Sequence, residues 1–319
     1  MKPVRVGLVG EFQEGKSLLV NCLLGGDYAV VGDLLPTTPF ETEYHWAEHE
    51  QVRLHSASAG RELHFNSVTD FLSHLRSEIG TEHGKQRSRH YAGAKVGLPL
   101  SPLRQVTLVD TPGLDAPESG QRPAAGTDTE KAMKAIEKLD FALVVFPNTK
   151  EIKSSPAARL PRVLHGRQIP FAILLNCKNT ELWSPDVQGN DAIAESIHRL
   201  AKECGCRPIR VSSDSRTSGE ILRINPAWFQ VVEGKEGAEG EAGQWAARLN
   251  NLFKRTPRPS DNEIRQLSRI PELRRFVCPE PAAVVGRNAV CMGGLHQAAR
   301  AWSEKARQQI QQMQEAISK

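Results

Sequence analysis

The sequence of 319 residues predicts an α/β fold, a P-loop domain with a mostly parallel central sheet flanked by helices, and three observations carry that prediction. An apolar strand run, Val4-Arg5-Val6-Gly7-Leu8-Val9, leads into Gly10-Glu11-Phe12-Gln13-Glu14-Gly15-Lys16-Ser17, a full G-x-x-x-x-G-K-S, and then into the helical run Leu18 to Leu24. Phe141 to Phe146 and Phe171 to Leu175 are unbroken apolar stretches of strand length, as expected of strands covered on both faces. Helical segments separate these strands, and that alternation gives a parallel sheet.

The elements follow in order. After the first helix, Gly32-Asp33-Leu34-Leu35-Pro36-Thr37-Thr38-Pro39-Phe40 is polar, Pro-bounded and without helical period. Alternation predicts strands over Glu43 to Trp46, Val52 to Ser56 and Leu63 to Phe65, with a hairpin turn at Ser58-Ala59-Gly60. Val68, Phe71, Leu72, Leu75 and Ile79 fall at helical spacing, so Ser67 to Ile79 reads as a helix with Ser67 or Thr69 near its cap. Lys95 to Leu100 and Arg104 to Val109 read as strands, the second ending on Asp110-Thr111-Pro112-Gly113. A Pro/Gly-rich stretch, Ala116 to Gly126, precedes a helix over Thr129 to Lys138. Further helices are expected near Pro156 to Leu164 and over Ala192 to Glu203, with Pro208 to Val211 as the last strand.

Beyond about residue 220 the pattern weakens, and Glu233 to Gly243 is Gly/Glu-rich, as in a solvated loop or linker. In the final segment Leu295, Ala299, Trp302, Ala306, Ile310, Met313 and Ile317 form one apolar stripe at helical spacing. The stripe suits packing onto the body of the same protein, a partner helix or a longer stalk. The organisation expected is therefore 1–225 as a nucleotide-binding domain, 226–281 as an irregular or helical extension, and 282–319 as a C-terminal helix.

Composition narrows the function classes. With 39% hydrophobic and 24% charged residues the chain reads as soluble and globular, and no run approaches the length of a membrane-spanning helix. Met1-Lys2-Pro3 runs straight into the first strand, which points to a cytoplasmic protein without a signal peptide. The six cysteines are scattered, and the one close pair, Cys204-Gly205-Cys206, has no partner cluster, so free thiols are expected rather than zinc. None of the ten histidines forms H-E-x-x-H, and no nucleophile-elbow pattern is present. A net charge of +4 permits contact with an anionic membrane or RNA but demands neither.

The chemistry lies in the phosphate loop. Its glycines let backbone N–H groups turn inward around α- and β-phosphates, Lys16 brings a point charge to the β/γ-phosphates, and the Ser17 hydroxyl can join a Mg²⁺ shell. Such loops serve ATPases, GTPases and kinases alike. Asp110 at the end of a strand is placed to hold Mg²⁺, usually through water, and the Gly113 N–H to bond a γ-phosphate. Thr37 and Thr38 lie in the segment expected to close over the nucleotide, with Thr38 completing the Mg²⁺ shell.

At GEFQEGKS (10–17), LLPTTPFETE (34–43), LSPLRQVTLVDTPGLD (100–115), FALVVFP (141–147) and ILLNCKN (173–179) the chain resembles the TRAFAC GTPases, and the dynamin superfamily most closely. A hairpin-plus-helix insertion between the Thr loop and D-T-P-G, like residues 43–95, is typical of dynamin-like proteins. The resemblance covers residues 1–225 and implies GTP/GDP and Mg²⁺ as cofactors. It implies Gly10, Gln13, Glu14, Gly15, Lys16, Ser17 and Leu18 around the phosphates, Ser17, Thr38 and Asp110 at the metal, and nucleotide-dependent homodimerisation. It also implies a stalk or bundle role for the C-terminal helix, which could meet a partner protein; a membrane surface stays open as a partner.

Two departures qualify the resemblance. Leu114 and Asp115 stand where Ras-like enzymes place a water-positioning Gln, and Gln13 becomes the candidate for water positioning or charge stabilisation, the alternative being a solvent-facing loop residue. In place of N/T-K-x-D the chain has Asn176-Cys177-Lys178-Asn179. Asn176 matches, Cys177 replaces Lys, and Asn179 replaces the Asp that accepts from guanine. Losing that charge-assisted pair costs roughly 1–3 kcal/mol of guanine discrimination. Lys178 could cover the base from the neighbouring position, and Ser212-Ser213 match the loop that contacts the guanine oxygen. Two other functions fit the residues: a nucleotide-gated interaction module with weak hydrolysis, and an RNA- or ribosome-associated GTPase using Lys85, Arg87, Arg89, His90 and Tyr91 or the Lys254-Arg255 and Arg274-Arg275 clusters. No RNA-binding module is visible.

Overall fold

Valine- and leucine-rich runs without alternation place β1 (Val4–Gly10), β7 (Phe141–Pro147) and β8 (Phe171–Asn176) inside the sheet rather than at its edge, where both faces are buried. The computed structural model describes residues 2–11, 13–31, 40–56, 62–79, 91–114, 128–147, 156–177, 191–205, 208–209, 211, 221–233 and 260–277. Thr37, Thr38, Lys178, Asn179, Ser212, Ser213, Asp115, most of the Gly/Glu-rich stretch and the segment 282–319 lie outside them.

The remaining strands are β2 (Glu41–Trp46), β3 (Gln51–Ser56), β4 (Glu62–Phe65), β5 (Tyr91–Leu98), β6 (Val106–Asp110) and β9 (Ile221–Ile224). They form one sheet in the order β4-β3-β5-β2-β6-β1-β7-β8-β9. From β6 to β9 every pairing is parallel. The direction reverses at β2, which runs antiparallel to β6 but parallel to β5, while β3 is antiparallel to both β5 and β4. The hairpin-plus-helix insertion is thus an extension of the sheet itself.

Two apolar layers cover the sheet. One contains α1 (Lys16–Leu24), α2 (Val68–Ile79) and α8 (Ile270–Val277), through residues such as Leu19, Phe71 and Phe276. The other contains α3 (Asp128–Ile136), α4 (Leu160–Gly166) and α5 (Asp191–Glu203), through Ile136, Leu164 and Ile197. Ser67 caps α2 as expected: its hydroxyl oxygen accepts from the Asp70 N–H at 3.1 Å. The helix near Pro156 is a 3₁₀ turn, Pro156–Arg159, continued by α4.

The end of the sheet differs from expectation. Pro208 to Val211 is not its last strand; Ile209 donates to the Phe171 carbonyl at 2.7 Å beside the start of β8, and β9 completes the edge further along. Short polar interruptions between 211 and 221 hide this from a periodicity reading. Beyond β9 come α6 (Pro226–Val232), capped by the Asn225 side chain, and α7 (Asp261–Leu267), which opens with a Ser260/Glu263 capping box. Ile270, Leu273, Phe276 and Val277 of α8 are buried in the layer that holds α1, so the core continues past residue 225. Arg274 of α8 donates to the Leu23 carbonyl at 3.1 Å and lies over Phe229 at 6.0 Å. Its guanidinium is engaged within the fold, which weakens the reading of Arg274-Arg275 as a phosphate-contacting cluster.

Candidate functional site

Because β1, β6 and β8 run parallel, their carboxyl ends meet at one edge of the sheet, and Gly10, Asp110 and Asn176 meet with them. Leu8 is level with Asp110, and Gly10 is level with Val145. A Cβ on Gly10 would stand 2.6 Å from the Val145 carbonyl oxygen, so the chain can leave β1 this closely only as glycine. Gln13 and Gly15 both adopt left-handed backbone, with φ of +62° and +77°. For glycine that is free; for Gln13 it is a strained conformation of the kind found where a loop is shaped for a ligand.

Lys16 and Ser17, the first residues of α1, are 6% exposed. The Lys16 ammonium donates to the carbonyls of Glu11 at 2.6 Å and Gly10 at 3.3 Å, which holds it across the mouth of the loop. The Ser17 hydroxyl donates to Asp110 Oδ2 at 2.8 Å, and both residues are buried. Two hard oxygen donors side by side at the start of the helix that follows the glycine cradle fit Mg²⁺ with a triphosphate. Among the described residues no group of three or more His, Cys, Asp or Glu could hold another metal.

The segment after Asp110 is tied to the same loop. Thr111 donates its hydroxyl to the Leu8 carbonyl at 2.7 Å, and the Leu114 N–H donates to the Gly10 carbonyl at 3.1 Å. Gly113 is buried between them, and Glu11 forms an isolated bridge with Leu114. Asn176, 2% exposed, donates from Nδ2 to the Glu14 carbonyl at 2.8 Å, which ties the end of β8 to the glycine loop. The same amide sits where a Cβ on Gly15 would fall, 2.7 Å away. Cys177 donates its N–H to the Ile224 carbonyl, and burial pushes its thiol up to about 11. Leu18 is buried in α1, and Gln13 is exposed at the lip of the loop.

Thr111 and Glu11 stand inside the D-T-P-G and glycine-loop motifs, whereas Asn21 and Tyr44 join this framework from outside any motif. Asn21 left a signal: it is the one amide in the otherwise apolar helical run Leu18 to Leu24. Asn225, the single residue between β9 and α6, donates its N–H to the Ser268 carbonyl at 3.0 Å. His45 lies in β2 and His55 in β3, where His55 pairs with Glu62 at 2.9 Å. Cys22, Cys177 and Cys204 are free thiols.

A glycine cradle, a buried lysine and a Ser–Asp pair at a parallel sheet edge define a P-loop nucleotide-binding domain. A model of the dynamin family matches residues 6–177, more than half of the chain, and the chain belongs to that family. Dynamin-like protein 2 of Campylobacter jejuni subsp. jejuni serotype O:23/36 (strain 81-176) is 27% identical over 118 residues, 37% of this chain and 18% of that protein. A solved bacterial dynamin, described as an oligomerised pair that provides a mechanism for long-range sensing and tethering of membranes, overlays on 99% of this chain at 16% identity and a TM-score of 0.48. This chain spans 48% of that one. A variant of Aquifex aeolicus Era bound to GDP·AlF4⁻ overlays on 82% of this chain and 59% of its own, at 15% identity and a TM-score of 0.35. No helix among the described residues is long and apolar enough to cross a membrane.

Proposed function

We propose that this chain binds GTP with Mg²⁺ and hydrolyses it to GDP and phosphate, with activity coupled to nucleotide-dependent dimerisation. The observation that carries the reading is the buried Ser17–Asp110 pair, 2.8 Å apart at the start of the helix that follows the glycine cradle. When bound, Mg²⁺ would neutralise charge developing on the transferred phosphoryl group. The chain's own groups do the rest. Backbone N–H groups of residues 13–18 face the phosphates, and Lys16 adds a fixed positive charge to the β/γ-phosphates. Ser17 and Thr38 would hold the metal, with Asp110 beside it acting through water, and the Gly113 N–H would bond the γ-phosphate.

Gln13, on its strained backbone at the lip of the loop, takes the water-positioning role for which Leu114 has no suitable group. Asn176 holds the loop to β8, while Lys178 and Asn179 meet the base, with Ser212 and Ser213 as further contacts. The segment 282–319 serves as a stalk or partner-binding helix, and any membrane contact is peripheral. A nucleotide-gated module with weak hydrolysis is the second reading, and Leu114 favours it. Its side chain, 6% exposed, cannot orient water.

The test is phosphate release from GTP, ATP and XTP over a wide range of protein concentration, with Lys16→Ala as the blank. Turnover per molecule that is selective for GTP and climbs with concentration supports the dimer-activated enzyme. Near-blank release with tight GTP binding supports the module, and a preference for XTP traces relaxed base selection to Asn179.

A further inference from the structure

We propose that Asn21 and Tyr44 are positioning residues for the nucleotide site, closing a ring of contacts that ties the chain entering the 32–39 segment to the Ser17–Asp110 pair. The proposal rests on the nucleotide reading above.

Asn21 lies one helical turn beyond Ser17, on the same side of α1. It is 3% exposed, and an amide buried in a helix is costly unless every polar atom is satisfied. Here Oδ1 accepts from the N–H groups of Tyr28 at 2.9 Å and Ala29 at 2.8 Å, and Nδ2 donates to the Ala29 carbonyl at 3.0 Å. Both sides of the amide are thus used on two consecutive residues. A helix that only needed to fill the core would carry leucine at this place.

The second tie comes from the strand on the far side of the same segment. The Tyr44 hydroxyl of β2 donates to the Tyr28 carbonyl at 3.2 Å, and Tyr44 is 2% exposed. In the antiparallel ladder Tyr44 faces Leu108 and Thr42 faces Asp110. The contacts therefore form a circuit: Ser17 to Asp110, Asp110 across to Thr42, along β2 to Tyr44, to Tyr28 and Ala29, to Asn21, and one turn back along α1 to Ser17.

Tyr28, Thr42, Tyr44, Phe40 and Asp110 line a cavity of about 10 Å³ beside this circuit, room for one water at most. Close packing leaves little slack, so displacing residues 28–29 also displaces β2 or α1. The circuit thereby couples both chain ends of the Thr37-Thr38 segment to the metal-binding pair.

The full chain carrying Tyr44→Phe, which deletes one hydroxyl, tests this beside the wild type. Tyr28→Phe is the control, because the ring uses only the backbone of Tyr28. Affinities for GDP and for a slowly hydrolysed GTP analogue are measured across a Mg²⁺ titration, together with kcat and KM for GTP. For Tyr44→Phe the Mg²⁺ concentration at half-maximal analogue binding rises about fivefold, and kcat falls by a similar factor, the scale of one buried hydrogen bond. GDP affinity and KM for GTP stay within about twofold, on the same scale. Asn21→Ser gives the same pattern, larger. Unchanged Mg²⁺ dependence and kcat with a lowered Tm overturn the proposal, as does an equal loss of GDP and analogue affinity, since either marks a purely structural role. A wild type that binds no guanine nucleotide removes the underlying reading and this proposal with it.

Discussion

The half of the sheet built from β6, β1, β7 and β8 differs from the half built from β2, β5, β3 and β4 in what covers it. The first half is parallel and buried on both faces, and its strands are almost wholly apolar. The second half is packed by α2 on one face through Val52, Leu54, Val96 and Phe71. Its other face carries polar side chains: Arg53 stands opposite Lys95, and Lys95 opposite Glu43. Arg5 reaches across from β1 to Glu43 at 2.9 Å and Glu41 at 3.1 Å. Chemistry concentrates in the first half because strand ends rigidly held on both faces can fix a phosphate loop and a carboxylate to fractions of an ångström. The second half contributes one strand to the site, β2, and otherwise extends the sheet.

The largest expected effect tests whether the chemistry belongs to the central half alone. Lys16→Ala lowers the rate of phosphate release on the order of 10²- to 10³-fold, as loss of a fixed charge at a developing anion does. Arg53→Ala in the same assay leaves the rate within about twofold, as expected of an exposed substitution. A large loss from Arg53→Ala would break the division.

Next come paired core truncations. Leu143 and Leu54 are both fully buried, and replacing either with alanine costs about 2–5 kcal/mol in denaturant titration. Hydrogen exchange separates them. Leu54→Ala speeds exchange in β3, β4 and α2 only, whereas Leu143→Ala speeds it throughout the sheet. Equal, global acceleration in both variants would show that the extension is not a separate cooperative unit.

Smaller effects probe the polar face. Burial raises the Glu43 carboxyl, but its bonds to Arg5 and that residue's charge outweigh it, and its pKa lies below the ordinary 4.5. Its stabilising contribution is therefore present above pH 4.5 and is lost as pH falls through the folded value. Glu43→Gln costs about 0.5–1 kcal/mol at pH 7 and less in acid, read from melts at both.

The smallest effect concerns His45. Burial lowers its pKa from 6.5 against the pull of Glu43, with Lys95 and Arg53 adding to the lowering. The unfolded chain takes up a proton before the folded one, so stability declines as pH drops below 6.5. His45→Gln flattens that decline; an unaltered pH profile would assign it elsewhere.

Much of this molecule was legible from sequence because its strongest signals are local. Strand, glycine turn and helix are consecutive from Val4 to Leu24, and D-T-P-G closes a strand within five residues of its apolar run. Asn176 could be placed because it directly ends an apolar strand. The sheet's edge was harder: Pro208 to Val211 has strand composition, yet β9 forms ten residues later, where pairing with β8 can continue to Asn176. The helices past 225 are short; Ile270, Leu273, Phe276 and Val277 of α8 do fall at helical spacing, but only their burial beside α1 shows that this helix belongs to the core.

By itself the sequence determined the phosphate loop, the residue types around it and the parallel character of the central strands. Each of these depends on neighbours within about a helical turn or on a run of apolar side chains along one strand. Tertiary structure alone decided the reversal of direction at β2, the place of α8 in the core, the left-handed backbone of Gln13 and the circuit through Asn21 and Tyr44. Apart from the Gln13 backbone, those features join residues far apart in the chain, and their energies come from buried hydrogen bonds and close packing that exist only once the chain has folded.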